Sequence, residues 1–230
     1  ELHHQIKLWR AMGVDVHLIP SGGNPKKEPL YLELIQAGVV IHKPNQWEVL
    51  TPDDCVLGFC NAEFLDHLPE IHSRTRRTVF INCMTWLFDK EKQRMAEGMI
   101  ALFLYQNEAV RQKNMPLLQA LNPDPKIKHL TFTPYFDATD FPFIEDRAEE
   151  QFGCGRISRQ DADKYAANTL HIYEYFVAPV MKRGLFLGFD ARSEAKIGRP
   201  FPWITTACDS SIISASTRFS TAGSSVTVRL

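Results

Sequence analysis

Strand-like and helical segments alternate along most of the chain, and this alternation restricts the fold more than any other feature. Six apolar segments within residues 1–134 predict strands: VDVHLIP, VVIHK, CVLGFC, RTVFINC, IALFLYQ and KHLTFTP. CVLGFC is almost entirely apolar, which is typical of a strand covered on both faces. Strands that alternate with helices form parallel sheets, so the sequence predicts an α/β fold with helices on both faces of the sheet.

A helix is predicted from Asn107 onwards, because apolar residues recur there at helical spacing. Four of its residues share one face and are expected to be buried: Val110, Leu117, Leu118 and Leu121. Proline lacks a backbone N–H and crowds the preceding turn, so Pro116 is expected to kink or split this helix.

The alternation stops at residues 135–150, which are polar and carry no clear period, and this stretch is interpreted as a linker. A second strand–loop–helix follows in the segments QFGCG and ADKYAANTLHIYEYF, and RGLFLGF is the next strand. Four positions of the predicted helix are expected to face a core: Tyr165, Thr169, Ile172 and Phe176. The predicted organisation is therefore an N-terminal Rossmann-like domain at 1–134 and a partial second one at 151–206.

Residues 207–230 differ in composition from the rest of the chain. Ten of these 24 residues are Ser or Thr, and no sustained period is present. Two interpretations are open: a disordered Ser-rich tail, or a truncated or frame-shifted end that replaces the rest of the second domain. Both predict few contacts with the body of the protein and early loss in limited proteolysis.

The composition argues against several classes of protein. The chain has 26 Lys and Arg against 27 Asp and Glu, so no global basic field for nucleic acid exists. No apolar run approaches the length of a membrane span. The five Cys fit neither a disulfide framework nor a zinc site, and the eight His show no metal-ligand spacing. We expect a cytoplasmic protein without a metal, and peripheral association with a membrane is the alternative.

The stretch FGCGRISRQDADKY is the strongest candidate for a ligand site. Gly153 and Gly155 would let the backbone approach a ligand, and a helix predicted from about Asp161 would offer free N–H groups. Arg156 could bind phosphate oxygens through two parallel hydrogen bonds, with Lys164 as a second positive charge. The alternative is an ordinary strand-to-helix turn in which Arg156 is a solvated loop residue.

Four segments, in this order, resemble the GT-B glycosyltransferases of family 4, in which two Rossmann-like domains face each other. They are HHQIKLWRAMGVDVHLIP, LYQNEAVRQ, FTPYFDATDFPF and FGCGRISRQDADKY. Asn107 stands where the family often has Ser before its Glu-x-x-Arg motif. The resemblance covers residues 1 to about 203 and implies a GT-B-like fold.

The resemblance also implies a function: transfer of a hexose from a nucleotide diphosphate sugar, with retention of configuration and without a cofactor or an essential metal. Arg156 and Lys164 would be the catalytic cations, and Gly155, Ser158 and Arg159 would help to bind the donor diphosphate. Arg159 is the substitute for Lys164, because the loop is longer than in the family. The acceptor is unknown and could be a saccharide, a lipid-linked molecule or another compound.

Three elements of the family pattern are not found: the first strand with its glycine-rich turn, a C-terminal pair of glutamates, and the nucleotide pocket beyond about Thr206. The chain is therefore expected to be a transferase fragment that is inactive by itself, although its full-length parent is expected to be active.

Further polar residues follow the predicted strands of the first domain. Ligands in open parallel sheets bind at the carboxyl ends of strands, which nominates the following residues for sugar or acceptor binding: Asn61, Glu63, Asn82, Thr85, Trp86, Asn107 and Glu108. The alternative for each is a helix cap or a surface contact, and Asn61 and Asn107 suit the capping role in particular.

Two other functions remain as alternatives. One is a non-catalytic α/β module that binds a sugar or a nucleotide. The other is a Rossmann oxidoreductase, which is disfavoured because GCGRIS lacks the third glycine of the dinucleotide-binding motif.

Overall fold

The computed structural model describes residues 2–21, 31–140, 154–158, 160–179, 184–207 and 224–229. The chain forms two compact units. Unit 1 comprises Glu1–Ala138 and Phe219–Leu230, and unit 2 comprises Thr139–Arg218. The first boundary between the units lies within the predicted linker.

Unit 1 contains five α-helices and seven strands among its described residues. The helices are α1 (Leu2–Ala11), α2 (Tyr31–Gln36), α3 (Ala62–Arg74), α4 (Asp89–Ala96) and α5 (Glu108–Leu121). The strands are β1 (Asp15–Pro20), β2 (Val40–Ile41), β3 (Cys55–Phe59), β4 (Arg77–Asn82), β5 (Leu102–Tyr105), β6 (Lys128–Thr131) and, from the end of the chain, β10 (Ser224–Arg229).

These strands form one sheet in the order β2-β1-β10-β3-β4-β5-β6. β1 pairs in parallel with β2, and β3 to β6 pair in parallel with one another. The predicted parallel α/β architecture is confirmed at this level, because the segments CVLGFC and RTVFINC lie side by side in parallel.

The prediction for the C-terminal tail is wrong for residues 224–229. They form β10, which pairs antiparallel with β1 on one side and with β3 on the other. The Ser and Thr content concealed the segment SSVTVR, whose Val residues suit a strand. Residues 208–223 lie outside the described part of the chain.

The core of unit 1 lies on both faces of the sheet. Phe80 of β4 packs in the cluster that α3, α4 and α5 cover. Its neighbours Val79 and Ile81 pack in a different cluster, beside Trp9 of α1. Successive side chains of a strand point to opposite faces, so helices cover both faces of this sheet as predicted.

The structure corrects the expectations for α5. The helix is continuous from Glu108 to Leu121 with Pro116 inside it, so the proline does not split it. Val110 and Leu118 are buried, but Leu117 and Leu121 are 56% and 44% exposed. The predicted apolar face was too wide. This helix packs on one side only, so the positions at the margin of its buried face, Leu117 and Leu121, are exposed to solvent.

Unit 2 contains a three-stranded parallel sheet in the order β7-β8-β9, formed by β7 (Cys154–Ile157), β8 (Gly184–Leu187) and β9 (Ile204–Ala207). Its described helices are α6 (Thr169–Ile172), which continues as a π-helical turn at Tyr173–Val177, and α7 (Ala191–Ile197). Six residues form the core: Tyr165, Tyr173, Phe186, Phe189, Ile197 and Ile204.

The helix predicted from Asp161 begins later than expected. Ala162–Lys164 form only a 3-10 turn, which Asp161 caps by accepting a hydrogen bond from the Asp163 N–H (3.0 Å). The predicted core face is also partly wrong, because Ile172 and Phe176 are 41% and 66% exposed. Tyr173, four positions after the buried Thr169, is buried instead of Ile172. The π-helical turn that begins at Tyr173 then breaks the 3.6-residue period before Phe176.

Candidate functional site

The first group of candidate residues lies at the carboxyl ends of β1 and β3. Asn61 caps α3 by accepting a hydrogen bond from the Glu63 N–H (2.9 Å). Its Nδ2 donates to Ser21 Oγ (2.9 Å), and that hydroxyl donates to Glu63 Oε2 (3.0 Å). Asn61 is therefore both the helix cap that the sequence allowed and a link between two strand ends.

Ser21 was missed from the sequence, although it directly follows β1 at the edge where ligands of parallel sheets bind. Ser21 and Asn61 are each only 6% exposed, whereas Glu63 is exposed. The part of this network that solvent reaches is thus a carboxylate, an acceptor suited to a sugar hydroxyl.

The second group is the loop between β4 and α4, which holds Thr85 and Trp86. Asn82 was expected to contact a ligand, but it is fully buried and instead fixes this loop. Its Nδ2 donates to the Trp86 carbonyl (3.0 Å), and its Oδ1 accepts from the Met84 N–H (2.6 Å). Trp86 is 50% exposed, and its ring lies 6.2 Å from that of Phe88. The loop therefore presents an exposed aromatic surface, and hydrogen bonds from the buried Asn82 side chain fix its backbone.

The third group is at the start of α5. Asn107 caps the helix by accepting from the Val110 N–H (2.9 Å), which was the alternative role considered for it. Glu108 accepts two hydrogen bonds from Arg111, Nε to Oε2 (2.7 Å) and Nη2 to Oε1 (2.6 Å). These bonds hold the pKa of the Glu108 carboxyl below its usual value.

One contact joins the second and third groups. Lys113 of α5, which the sequence did not nominate, donates from Nζ to the Thr85 carbonyl (3.3 Å). No pattern in the sequence relates these two positions, because the contact depends on how α5 packs against α4 and β5.

The candidate donor site in unit 2 centres on Arg156, which lies within β7. Its guanidinium carbon is 4.9 Å from the centroid of the Tyr165 ring, a distance typical of a cation–π contact. Tyr165 is fully buried and packs against Phe186 and Phe189, with ring centroids 5.7 and 5.5 Å away. Arg156 is thus held by a rigid aromatic cluster, and the interpretation of it as a solvated loop residue does not apply.

Two buried polar atoms beside this contact have no hydrogen-bond partner in the described part of the chain: Arg156 Nε and the Tyr165 hydroxyl. Unpartnered buried groups are rare, because each carries the free-energy penalty of desolvation. Arg156 Nε is therefore a donor that no group in the described part of the chain satisfies.

The other described residues of the predicted donor site are Ser158, Lys164 and Gly155. Ser158 donates from its N–H to the Leu187 carbonyl (3.1 Å), and its hydroxyl lies 3.4 Å from the same oxygen. Lys164 is exposed in the 3-10 turn. A side chain at Gly155 would meet Leu185 only at 3.6 and 3.7 Å, so packing does not require glycine there. Gly153 and Arg159 lie outside the described residues.

The described residues contain no group of three His, Cys, Asp or Glu side chains that could hold a metal ion. Within the same residues, no helix is both long enough and apolar enough to cross a bilayer.

Comparisons with known proteins provide no relatives. The sequence matches no protein-family model, and searches of curated proteins and of solved structures also gave no significant match.

Proposed function

We propose that this chain is part of a GT-B-like glycosyltransferase that moves a hexose from a nucleotide diphosphate sugar to an acceptor. The observation that carries the proposal is Arg156. Its guanidinium is fixed over the Tyr165 ring, and its buried Nε has no partner among the described residues. A diphosphate is a fitting ligand, because guanidinium groups bind phosphate oxygens with short, charge-assisted hydrogen bonds.

The role of Arg156 in this reaction is electrostatic. When the bond between the sugar and the diphosphate breaks, negative charge accumulates on the departing phosphate oxygens. A cation that is already in place stabilises this charge more than it stabilises the bound substrate, and so lowers the barrier. Tyr165 would supply the rigidity, because the ring stays in place while the charge develops.

Gly155 supports the same proposal. Neither packing nor a positive φ explains glycine at this position, since a methyl group there would make only ordinary contacts. Another physical reason for glycine at position 155 is that a ligand can approach the backbone closely there.

In unit 1, the proposed sugar or acceptor contacts are Glu63 and the loop of Thr85 and Trp86. Glu63 would accept hydrogen bonds from sugar hydroxyls, and the Trp86 ring would cover an apolar sugar face. Retention of configuration and independence from metal are carried over from the family that the sequence resembles.

A second candidate is a sugar-binding module without catalysis. The polar and aromatic residues at the carboxyl edge of unit 1 favour it, because they could bind a saccharide without Arg156. It is also favoured by the absence of a helix start at Asp161, where the donor phosphates were expected to find free N–H groups.

Calorimetric titration of the chain separates the two candidates. Ligands are uridine, guanosine and adenosine diphosphates, their hexose conjugates, and free hexoses. The transferase proposal predicts binding of one nucleotide with and without its hexose, and Arg156→Ala should weaken the binding of both. Binding of free hexoses with no response to any nucleotide would favour the sugar-binding module, and no binding at all would contradict both.

A further inference from the structure

One strand of the unit 1 sheet runs against all the others. β1 and β3 point in the same direction, and β10 lies between them antiparallel to both. The pairing extends from Asp15–Arg229 to Pro20–Ser224 on one side, and from Cys55–Val228 to Gly58–Ser225 on the other. We use the term strand slot for the gap between β1 and β3 that β10 fills.

The walls of the strand slot need a partner strand. In β1, residues from Val16 to Pro20 are all buried, and the central residues of β3 are buried too. Without β10, the backbone N–H and C=O groups of β1 and β3 that face the slot would lose their hydrogen-bond partners, and the sheet would be divided between these two strands. A strand in the slot therefore stabilises unit 1.

The covalent connection of β10 to the sheet is indirect. Unit 1 consists of Glu1–Ala138 and Phe219–Leu230, and the whole of unit 2 lies between these two segments in sequence. No hairpin or crossover turn joins β10 to β1 or to β3. Backbone pairing gives most of the affinity when a strand is added to a sheet, so an identical strand from another molecule offers the slot the same hydrogen bonds.

We propose that the strand slot is a protein-interaction site that accepts the C-terminal strand of a second copy of this chain, so that two copies exchange β10 reciprocally. The exchanged dimer has the same pairing as the monomer, and exchange of an identical element is a common route to dimers. The proposal is independent of the proposed transferase function.

The register provides a direct test, because Val228 lies opposite Cys55. Facing residues of an antiparallel pair have Cα atoms about 4.5–5.5 Å apart, a distance that a disulfide can bridge. In Val228→Cys, oxidation should join the introduced thiol to Cys55. A bond within one chain reports the unexchanged strand, and a bond between two chains reports exchange.

The experiment uses the full chain, unfolded and refolded at a series of concentrations, then oxidised and separated on a non-reducing gel. We expect the disulfide-linked dimer to rise several-fold over a tenfold increase in concentration. Excess synthetic peptide of residues 219–230 should suppress it. The matched control Val226→Cys lies opposite Leu57 and should give no such product, and Val228→Cys with Cys55→Ser should behave in the same way.

Two results would overturn the proposal. Cross-linking only within single chains at every concentration would mean that β10 does not exchange, and no dependence of cross-linking on Cys55 would mean that β10 does not occupy the slot. Light scattering on the unmodified chain tests the proposal without any variant that could misfold. A monomer at every concentration would also contradict exchange.

Discussion

At the scale of single residues, Glu91 is a buried carboxyl whose pKa is strongly raised. It is fully buried at the start of α4 and accepts hydrogen bonds from Asn82 Nδ2 (2.8 Å) and from the Phe88 N–H (3.0 Å). Burial raises the pKa of the Glu91 carboxyl to about 7, and the two hydrogen bonds offset only part of this rise.

This raised pKa predicts how stability depends on pH. The unfolded chain releases the Glu91 proton near the ordinary pKa of 4.5, whereas the folded chain holds it to about 7. The contribution of Glu91 is therefore fully present below pH 4.5 and is lost as the pH rises to about 7. We expect Glu91→Gln to gain roughly 2–4 kcal/mol relative to wild type between pH 4.5 and 7.5.

Urea denaturation across this pH range measures the difference. Glu97→Gln is the matched control: the hydrogen bond from Arg94 lowers the pKa of Glu97, so the effect of this variant on stability should stay constant across this pH range and decrease only at more acid pH. A difference between Glu91→Gln and wild type that does not change with pH would show that the carboxyl keeps its ordinary pKa.

The sequence predicted local roles of single residues, such as helix capping, better than contacts between residues far apart in the chain. Asn61 and Asn107 are the helix caps that the sequence allowed, because capping depends on residues only two or three positions away. The pairing of Arg156 with Tyr165, nine positions on, depends on how the chain folds back over β7 and could not be read from the spacing.

At the scale of elements, the two capping asparagines provide a matched pair of variants. Loss of a cap costs about 1 kcal/mol, so Asn107→Ala should destabilise unit 1 by roughly that amount. Asn61→Ala should cost more, because it also removes the buried hydrogen bond that Asn61 donates to Ser21.

Chemical denaturation of both variants beside wild type measures the two changes in the free energy of unfolding. Asn61→Ser keeps an oxygen that can cap α3, but its shorter side chain cannot reach Ser21. Its free energy of unfolding should therefore fall between those of wild type and Asn61→Ala. Equal losses for Asn61→Ala and Asn107→Ala would mean that the link to Ser21 contributes nothing to stability.

Elements were predictable where a local signal was strong. β3, β4 and β5 are apolar segments bounded by polar ones, and the structure places strands there. β10 was missed, because its pairing partners β1 and β3 lie far away in sequence and its composition is that of a polar tail. The late start of α6 was missed because Asp161 has the sequence signal of a helix cap. In the structure it caps only the 3-10 turn at Ala162–Lys164, and this turn does not continue into a helix.

At the scale of the whole molecule, the alternation of strands and helices predicted the parallel α/β character of both sheets but not the complete order of the strands. The order β2-β1-β10-β3-β4-β5-β6 places a strand from the end of the chain in the middle of unit 1. Alternation reports only neighbours along the sequence, so it could not place a strand that returns from beyond unit 2.

The proposed function depends on contact between Arg156 and a diphosphate, and ³¹P NMR of the nucleotide that binds observes this contact at the phosphorus atoms themselves. Wild type should shift and broaden both phosphorus signals. Arg156→Lys should change them less, because a point charge cannot reproduce the planar guanidinium. With Arg156→Ala, the spectrum should be that of the free nucleotide. Arg192→Ala, which removes an exposed cation from the same unit, is the control and should behave as wild type. A spectrum that is the same with wild type and with folded Arg156→Ala would contradict the assignment of Arg156 to the donor site.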